Sequence, residues 1–313
     1  MPHHPFRFGV NVYGAKSREE WIAKAQKIEA LRYDTFFVAD HSHTFPPIAG
    51  MMAAAAATTT VHIGSNVLAN DFRYPVILGR ELAAVDVFSN GRLIFGLGTG
   101  FYRPDYDKSG IPFAAPGVRV SRLEEAVHII KGIFTTDPFS FAGKYYTVQN
   151  VSIEPMPLQQ PHPPLLLGGG SPRILAIAAR EADIVSFNIR TTPEGGFDTN
   201  SISPEATAEK VAWVKQAAGD RFDDLEFSLL AMYIAITNDR VGAAEQMVDG
   251  WNKAGVSVNA DQILASPHTL MGTVDEIVAD VQNLRERYGF SFVVVNENTI
   301  DDFAPVVERL AGT

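Results

Sequence analysis

The chain has 313 residues, 46% of them hydrophobic, and its 26 basic and 36 acidic side chains leave a net charge of −10. That length suits one α/β barrel with insertions around a large core, and the acidic balance argues against nonspecific binding to nucleic acid or anionic membranes. The chain has no cysteine, which excludes disulfides, thiolate catalysis and cysteine-type zinc sites.

A cysteine-free chain is compatible with a cytoplasmic setting, and Met1–Phe6 carries no signal-peptide pattern. No apolar run reaches the ~18 residues a membrane helix needs. Eight apolar segments read as buried strands, at residues 6–13, 35–39, 62–68, 93–97, 164–167, 183–187, 227–237 and 290–296. Runs rich in Val, Ile, Leu and Phe are what a parallel sheet covered on both faces requires.

Helical spacing fills the gaps. Trp21, Ala25, Ile28 and Leu31 share one helix face, as do Leu123, Val127, Ile130 and Phe134, and later Ile277, Val281, Leu284 and Tyr288. Ser17 with Glu20 and Thr273 with Glu276 have the form of capping boxes. The alanine-rich run at 53–57 reads as a helix packed tightly on the sheet. Strands alternating with helices predict a (β/α)8 TIM barrel with insertion loops, one domain over residues 1–313. Long connections at 135–163, 189–203 and 255–272 read as lids or interface elements, the first with a hairpin at 139–148.

The polar and glycine residues cluster just after strand ends, where parallel α/β proteins bind ligands. Asp40 and His41 close the second strand, and a carboxylate beside an imidazole can hold a ring system and move a proton. His41 and His43 form an H-x-H pair, but a metal needs further ligands, and the Gly98–Gly100 and Gly168–Gly170 strand tips offer none. No metal site is therefore expected. Ser65, Asn66 and Val67 end the third strand. Gly96, Gly98, Thr99 and Gly100 follow the fourth, where glycine permits close approach to a flat or anionic ligand.

Gly168, Gly169 and Gly170 end the fifth strand before Ser171, Pro172 and Arg173. Ser171 suits an N-cap and Pro172 the first helical position, so the free N–H groups there make an anion site that Arg173 can assist. Arg92, before the fourth strand, is expected to pair with a carboxylate such as Asp86. Arg73 is expected on the top side, facing a ligand or a neighbouring subunit. Phe36, Phe37, Phe45 and Phe101 suggest an apolar substrate space.

Taken together, Val38–His41 (VADH), Ile63–Pro75 (IGSNVLANDFRYP), Leu82–Gly100, Arg122–Glu125 (RLEE), Pro161–Gly170 and Gly272–Val274 (GTV) resemble the bacterial luciferase-like superfamily, in particular its coenzyme F420-dependent oxidoreductases. The resemblance implies a homodimeric barrel with F420, or alternatively FMN, across its C-terminal mouth. It implies a small organic substrate and a flavin or F420 reductase as the source of reductant. It places Asp40 and His41 at the reactive ring, with His41 in proton transfer and Asp40 orienting the cofactor or His41. It implies a non-prolyl cis bond at Asn66–Val67 against the ring, Thr99 and Gly100 along it, and the tail phosphate on Gly168–Ser171. Related sugar-phosphate dehydrogenases carry an acid after the Thr-Gly pair. Here Phe101 stands there, which argues against sugar-phosphate oxidation and leaves Tyr102, Asp105 or Tyr106 to take the acid's place.

Overall fold

The computed structural model describes residues 3–192, 196–253 and 258–313. Eight parallel strands close into a barrel: β1 (Arg7–Val12), β2 (Thr35–Val38), β3 (His62–Ser65), β4 (Leu93–Gly98), β5 (Leu165–Gly169), β6 (Ile184–Phe187), β7 (Glu226–Leu230) and β8 (Phe290–Asn296). Consecutive strands are hydrogen-bonded neighbours, and β8 returns to β1 through the Phe8↔Val293 register. Eight main helices follow them: α1 (Arg18–Ala30), α2 (Pro47–Ala57), α3 (Pro75–Phe88), α4 (Pro116–Thr135), α5 (Pro172–Glu181), α6 (Pro204–Ala218), α7 (Val274–Tyr288) and α8 (Ile300–Leu310). The (β/α)8 expectation holds.

Strand side chains alternate between two cores. Phe37, Ile94, Leu166, Ile184, Phe292 and Val294 fill the barrel interior, as the packed layers of this architecture require. The opposite strand faces pack on the helices in one larger cluster. At the barrel base, Arg7 bridges Asp34 (2.8 Å) and Glu226 (2.6 Å) and lies over the Phe292 ring. The predicted helix faces are buried: Trp21, Ala25 and Ile28 in α1, and the full sets in α4 and α7. Leu31 falls one residue past α1, as its C-cap. Thr273 and Glu276 close a complete capping box. Ser17 accepts from the Glu20 N–H, but the Glu20 carboxylate takes the Lys16 N–H, so that box is half formed.

The structure differs from the sequence reading at two strands. The third stops at Ser65 and resumes at Leu68–Ala69, where Leu68 registers with Leu97. The seventh stops at Leu230, because the Met232 and Tyr233 N–H groups bond the His268 carbonyl instead of a barrel neighbour. Tyr233–Ile236 then pairs with Thr269–Gly272 in a separate two-stranded sheet. The predicted hairpin is present, Phe139–Ala142 against Thr147–Val151. Glu125 of the RLEE motif holds its turn through the N–H groups of Lys144, Tyr145 and Tyr146.

Arg92 does not pair with Asp86. Its guanidinium donates to the carbonyls of Ala55, Thr58, Val61 and Ser89. Those are orphan acceptors at a helix end and a strand start, which need a donor at the barrel base. Asp86 accepts from the Leu158 and Gln159 N–H groups and the Gln159 amide. Among the described residues, no helix is long and apolar enough to cross a membrane.

Candidate active site

The C-terminal ends of the strands surround a cavity of about 510 Å³, within the usual size range for small-molecule sites. Its walls include Asp40 and His41 after β2, Asn66 and Val67 after β3, Thr99 and Gly100 after β4, and Gly168–Ser171 after β5. The residues that the resemblance places around the cofactor therefore line one space.

The break in the third strand shapes one wall. The Asn66–Val67 peptide is cis, as the resemblance implied. The Asn66 amide donates to Asn11 across the barrel at 3.2 Å. A Cβ on Gly96 would stand 2.0 Å from the Ser65 carbonyl oxygen, and one on Gly98 would stand 2.6 Å from a Val67 methyl. Gly96 thus admits the Ser65 carbonyl and Gly98 a Val67 methyl. This corrects the reading for Gly96, which meets backbone rather than a ligand, while Gly98 also lines the cavity.

His41 is the best-defined polar group in the cavity. Its Nδ1 lies 2.7 Å from Asp105 Oδ2, and the other Asp105 oxygen accepts the Ser42 N–H at 3.0 Å. Asp105 comes from a short helix, Arg103–Ser109, and is buried. Burial disfavours its charge, but the hydrogen bonds from His41 and Ser42 outweigh that and hold its carboxyl below the ordinary value. An ionised acceptor at Nδ1 fixes the proton there and leaves Nε2 as the unbonded ring nitrogen. Of the three residues named as replacements for the missing acid, Asp105 is the one bonded to His41.

Asp40 lines the cavity, and its side chain makes no hydrogen bond to the His41 ring. Its carboxylate is gripped by Arg73 (2.6 Å) and by the Ala69 N–H (2.9 Å). Arg73 therefore faces inward to Asp40, tying the end of β2 to the segment that follows the cis peptide.

The fifth strand tip fits an anion. Ser171 is the N-cap of α5, yet its hydroxyl makes no cap bond. The backbone N–H groups of the first helical turn are left for a ligand there. A Cβ on Gly170 would lie 2.6 Å from the Asn188 carbonyl oxygen and 2.7 Å from the Arg190 nitrogen, so bulk at that position is excluded. Arg173 points away, donating to the Gly117 carbonyl and the Ser121 hydroxyl of α4. The expectation that it assists an anion is not met.

Aromatic rings crowd His41. His43 stacks on it at 5.3 Å, while Phe101 and Tyr102 stand nearly perpendicular to it at 6.2 and 6.0 Å. Phe197, from the loop after β6, meets Phe101 at 5.4 Å. Phe36 and Phe37 lie in the core and Phe45 stacks on Trp21, so of the four phenylalanines suggested for substrate space only Phe101 lines the cavity. Phe197 escaped sequence reading because its loop has no periodic pattern. Among the described residues, no three His, Asp or Glu side chains are grouped to hold a metal.

The chain matches the luciferase-like monooxygenase family over residues 3–288, and it belongs to that family. An FMNH(2)-dependent dimethylsulfone monooxygenase of Pseudomonas putida is 30% identical over 50% of this chain and 42% of its own. An F420-dependent glucose-6-phosphate dehydrogenase of Amycolatopsis mediterranei is 29% identical over 57% and 55%. The matched segment thus spans about half the length of these curated relatives. Among solved structures, the coenzyme F420-dependent tetrahydromethanopterin reductase of Methanopyrus kandleri superposes with a TM-score of 0.80 at 18% identity, covering 98% of this chain and 99% of that one. EDTA monooxygenase of a Chelativorans species superposes at 0.74 and 16% identity, over 98% and 94%. The fold is common to F420- and FMN-using proteins.

Proposed function

We propose that this chain is an F420-dependent oxidoreductase that transfers a hydride between the deazaflavin and a small organic substrate. The observation that carries the reading is the gathering of the Asn66–Val67 peptide, Thr99–Gly100, the α5 N-terminus and the Asp105-held His41 around one cavity. When bound, the deazaflavin supplies the two-electron chemistry, and the protein supplies position, shelter and protons. Asn66, Val67, Thr99 and Gly100 flank the ring. Gly168, Gly169, Gly170 and Ser171 receive the tail phosphate. His41 exchanges a proton with substrate through Nε2. Asp40 acts by bracing the ring wall through Arg73.

The F420 reading is supported by similarity to an F420-dependent glucose-6-phosphate dehydrogenase of Nakamurella multipartita, 26% identical over 78% of this chain and 72% of that one. The alternative is an FMN-dependent monooxygenase using reduced flavin and oxygen, supported by the 30% identity to the dimethylsulfone enzyme. Titrating the purified protein with F420 and separately with FMN, followed by fluorescence quenching, decides between them. The expected result is tight binding of F420 and weak binding of FMN, with F420 binding lost in Gly170→Asp. Preference for FMN would move the assignment to the monooxygenase.

On the same reading the chain is a cytoplasmic single-domain homodimer whose cofactor is reduced by a separate enzyme. A surface on α2 and α3 supports the dimer. Helix α2 has no charged residue and exposes Ala49, Ala53 and Ala56, while α3 exposes Ile77 (51%) and Phe88 (68%). An apolar face of this kind is normally covered. Sedimentation of Phe88→Glu should give half the wild-type mass; an unchanged mass would refute that surface.

A further inference from the structure

Arg119 is a buried cation beside the cavity. It stands in the first turn of α4, is 3% exposed and belongs to the cavity wall. Its guanidinium lies over the Phe113 ring at 4.0 Å, and Nη1 donates to the Ala114 carbonyl at 3.2 Å. Nε and Nη2 make no hydrogen bond to any described residue. Among the described residues no carboxylate forms an ion pair with it. Asp71, whose charge acts on it, is held by Arg122 at 3.4 Å, Asp40 by Arg73 and Asp105 by His41. A buried charge without a partner is costly, and a guanidinium does not escape the cost by losing its proton. A ligand that brings an anion into the cavity removes it.

With Nη1 engaged, the Nε–Nη2 edge is left, and its two parallel N–H groups form the fork that meets carboxylate or phosphate. The α5 N-terminus lies alongside. Gly170, Ser171 and Ile174 line the same cavity, and the Ser171 hydroxyl caps no N–H group. Arg173 ties the two helix starts together through the Gly117 carbonyl and the Ser121 hydroxyl. We propose that Arg119 is the cationic half of an oxyanion site completed by the α5 N-terminus, and that a phosphate or carboxylate of the bound ligand pairs with its Nε–Nη2 edge. Arg119 thus supplies the positive charge that Arg173, turned to α4, does not. The anion belongs to the cofactor tail or to an acidic substrate, and the same donors serve both. The inference rests on the F420 reading only for placing a ligand in the cavity.

The test is calorimetry on wild type, Arg119→Met and Arg119→Lys with two ligand pairs: FMN and riboflavin, and F420 and the same deazaflavin without its phosphate tail. Wild type is expected to prefer the phosphate-bearing member by about 10- to 100-fold, the range of a charge-assisted hydrogen bond. Arg119→Met should erase the preference and leave the tail-less ligands within about threefold. Arg119→Lys keeps the charge without the fork, should lose about tenfold of the preference, and carries the comparison if the methionine variant does not fold. Inorganic phosphate at fixed ionic strength should raise the melting temperature of wild type and not of Arg119→Met. Ligand-free Arg119→Met should melt no lower than wild type, because it removes an unpaired buried charge. Pairs that bind alike, with phosphate still stabilising cofactor-saturated wild type through Arg119, would assign the anion to the substrate within the same site. A phosphate preference or phosphate stabilisation unchanged in both variants would overturn the proposal, as would a fall in melting temperature with anion binding intact. If neither flavin nor deazaflavin binds while phosphate stabilises through Arg119, the F420 reading fails and this site stands. If F420 binds Arg119→Met as tightly as wild type and phosphate stabilises both alike, this site fails and that reading stands.

Discussion

Replacing Asp105 with asparagine reverses a single hydrogen bond at the centre of the site. In the wild type, Asp105 Oδ2 accepts from His41 Nδ1 at 2.7 Å while Oδ1 accepts the Ser42 N–H at 3.0 Å. In Asp105→Asn the Ser42 N–H holds the amide oxygen, so the amide nitrogen faces Nδ1. A donor facing Nδ1 forces the ring proton to Nε2, and the acceptor presented to substrate becomes a donor. One charge-assisted hydrogen bond to the ring is also lost, on the order of 1.5–3 kcal/mol. Wrong-tautomer replacements in carboxylate–imidazole pairs reach losses on the order of 10⁴ in rate. We therefore expect kcat to fall about 10²- to 10⁴-fold with cofactor affinity nearly unchanged. Nitrogen NMR of the imidazole gives an independent readout, with the proton on Nδ1 in the wild type and on Nε2 in the variant. Activity within about threefold of wild type, or the same tautomer in both proteins, would refute the coupling.

Arg73→Met should cost about 3 kcal/mol in denaturant unfolding, because it leaves the Asp40 carboxylate with only the Ala69 N–H; Asp40→Asn in the same background should recover part of the loss. Gly96→Ala should destabilise by more than about 3 kcal/mol or fail to accumulate, since its Cβ would stand 2.0 Å from the Ser65 carbonyl oxygen; an unperturbed variant would show that the wall is not packed this way. His268 is buried, which pushes its pKa down to about 4 from 6.5. The unfolded chain then binds the extra proton between those values, so stability falls as pH drops from about 6.5 toward 4, by roughly 3 kcal/mol. His268→Gln should flatten that part of the pH–stability curve, and an equally steep curve in the variant would assign the acid sensitivity elsewhere.

Much of the barrel was legible because buried parallel strands leave short apolar runs that solvent-facing segments do not. The seventh strand was overread because Tyr233–Ile236 is as apolar as β7 and forms a sheet of its own with Thr269–Gly272. Local pattern does not say which neighbour a strand will find. Charge pairing was the least legible level. Adjacency in sequence suggests that Asp40 orients the cofactor or His41, yet its carboxylate pairs with Arg73 and the Ala69 N–H and not with the His41 ring. The actual partner, Asp105, stands 64 positions away on a helix too short to announce itself by periodicity. Glycine in β4 was ambiguous for a similar reason, since a sequence records that close approach is needed but not what approaches.

The central claim is hydride transfer from a deazaflavin at this barrel mouth, and anaerobic turnover tests it most directly. The protein would be given reduced F420 carrying deuterium at its hydride position and a panel of small carbonyl acceptors, with the products examined by mass spectrometry. Deuterium on the carbinol carbon, formed without oxygen and lost in His41→Ala, is the result this account predicts. No product without oxygen, and an oxygen atom from isotopically labelled dioxygen in a product made with reduced FMN, would contradict it.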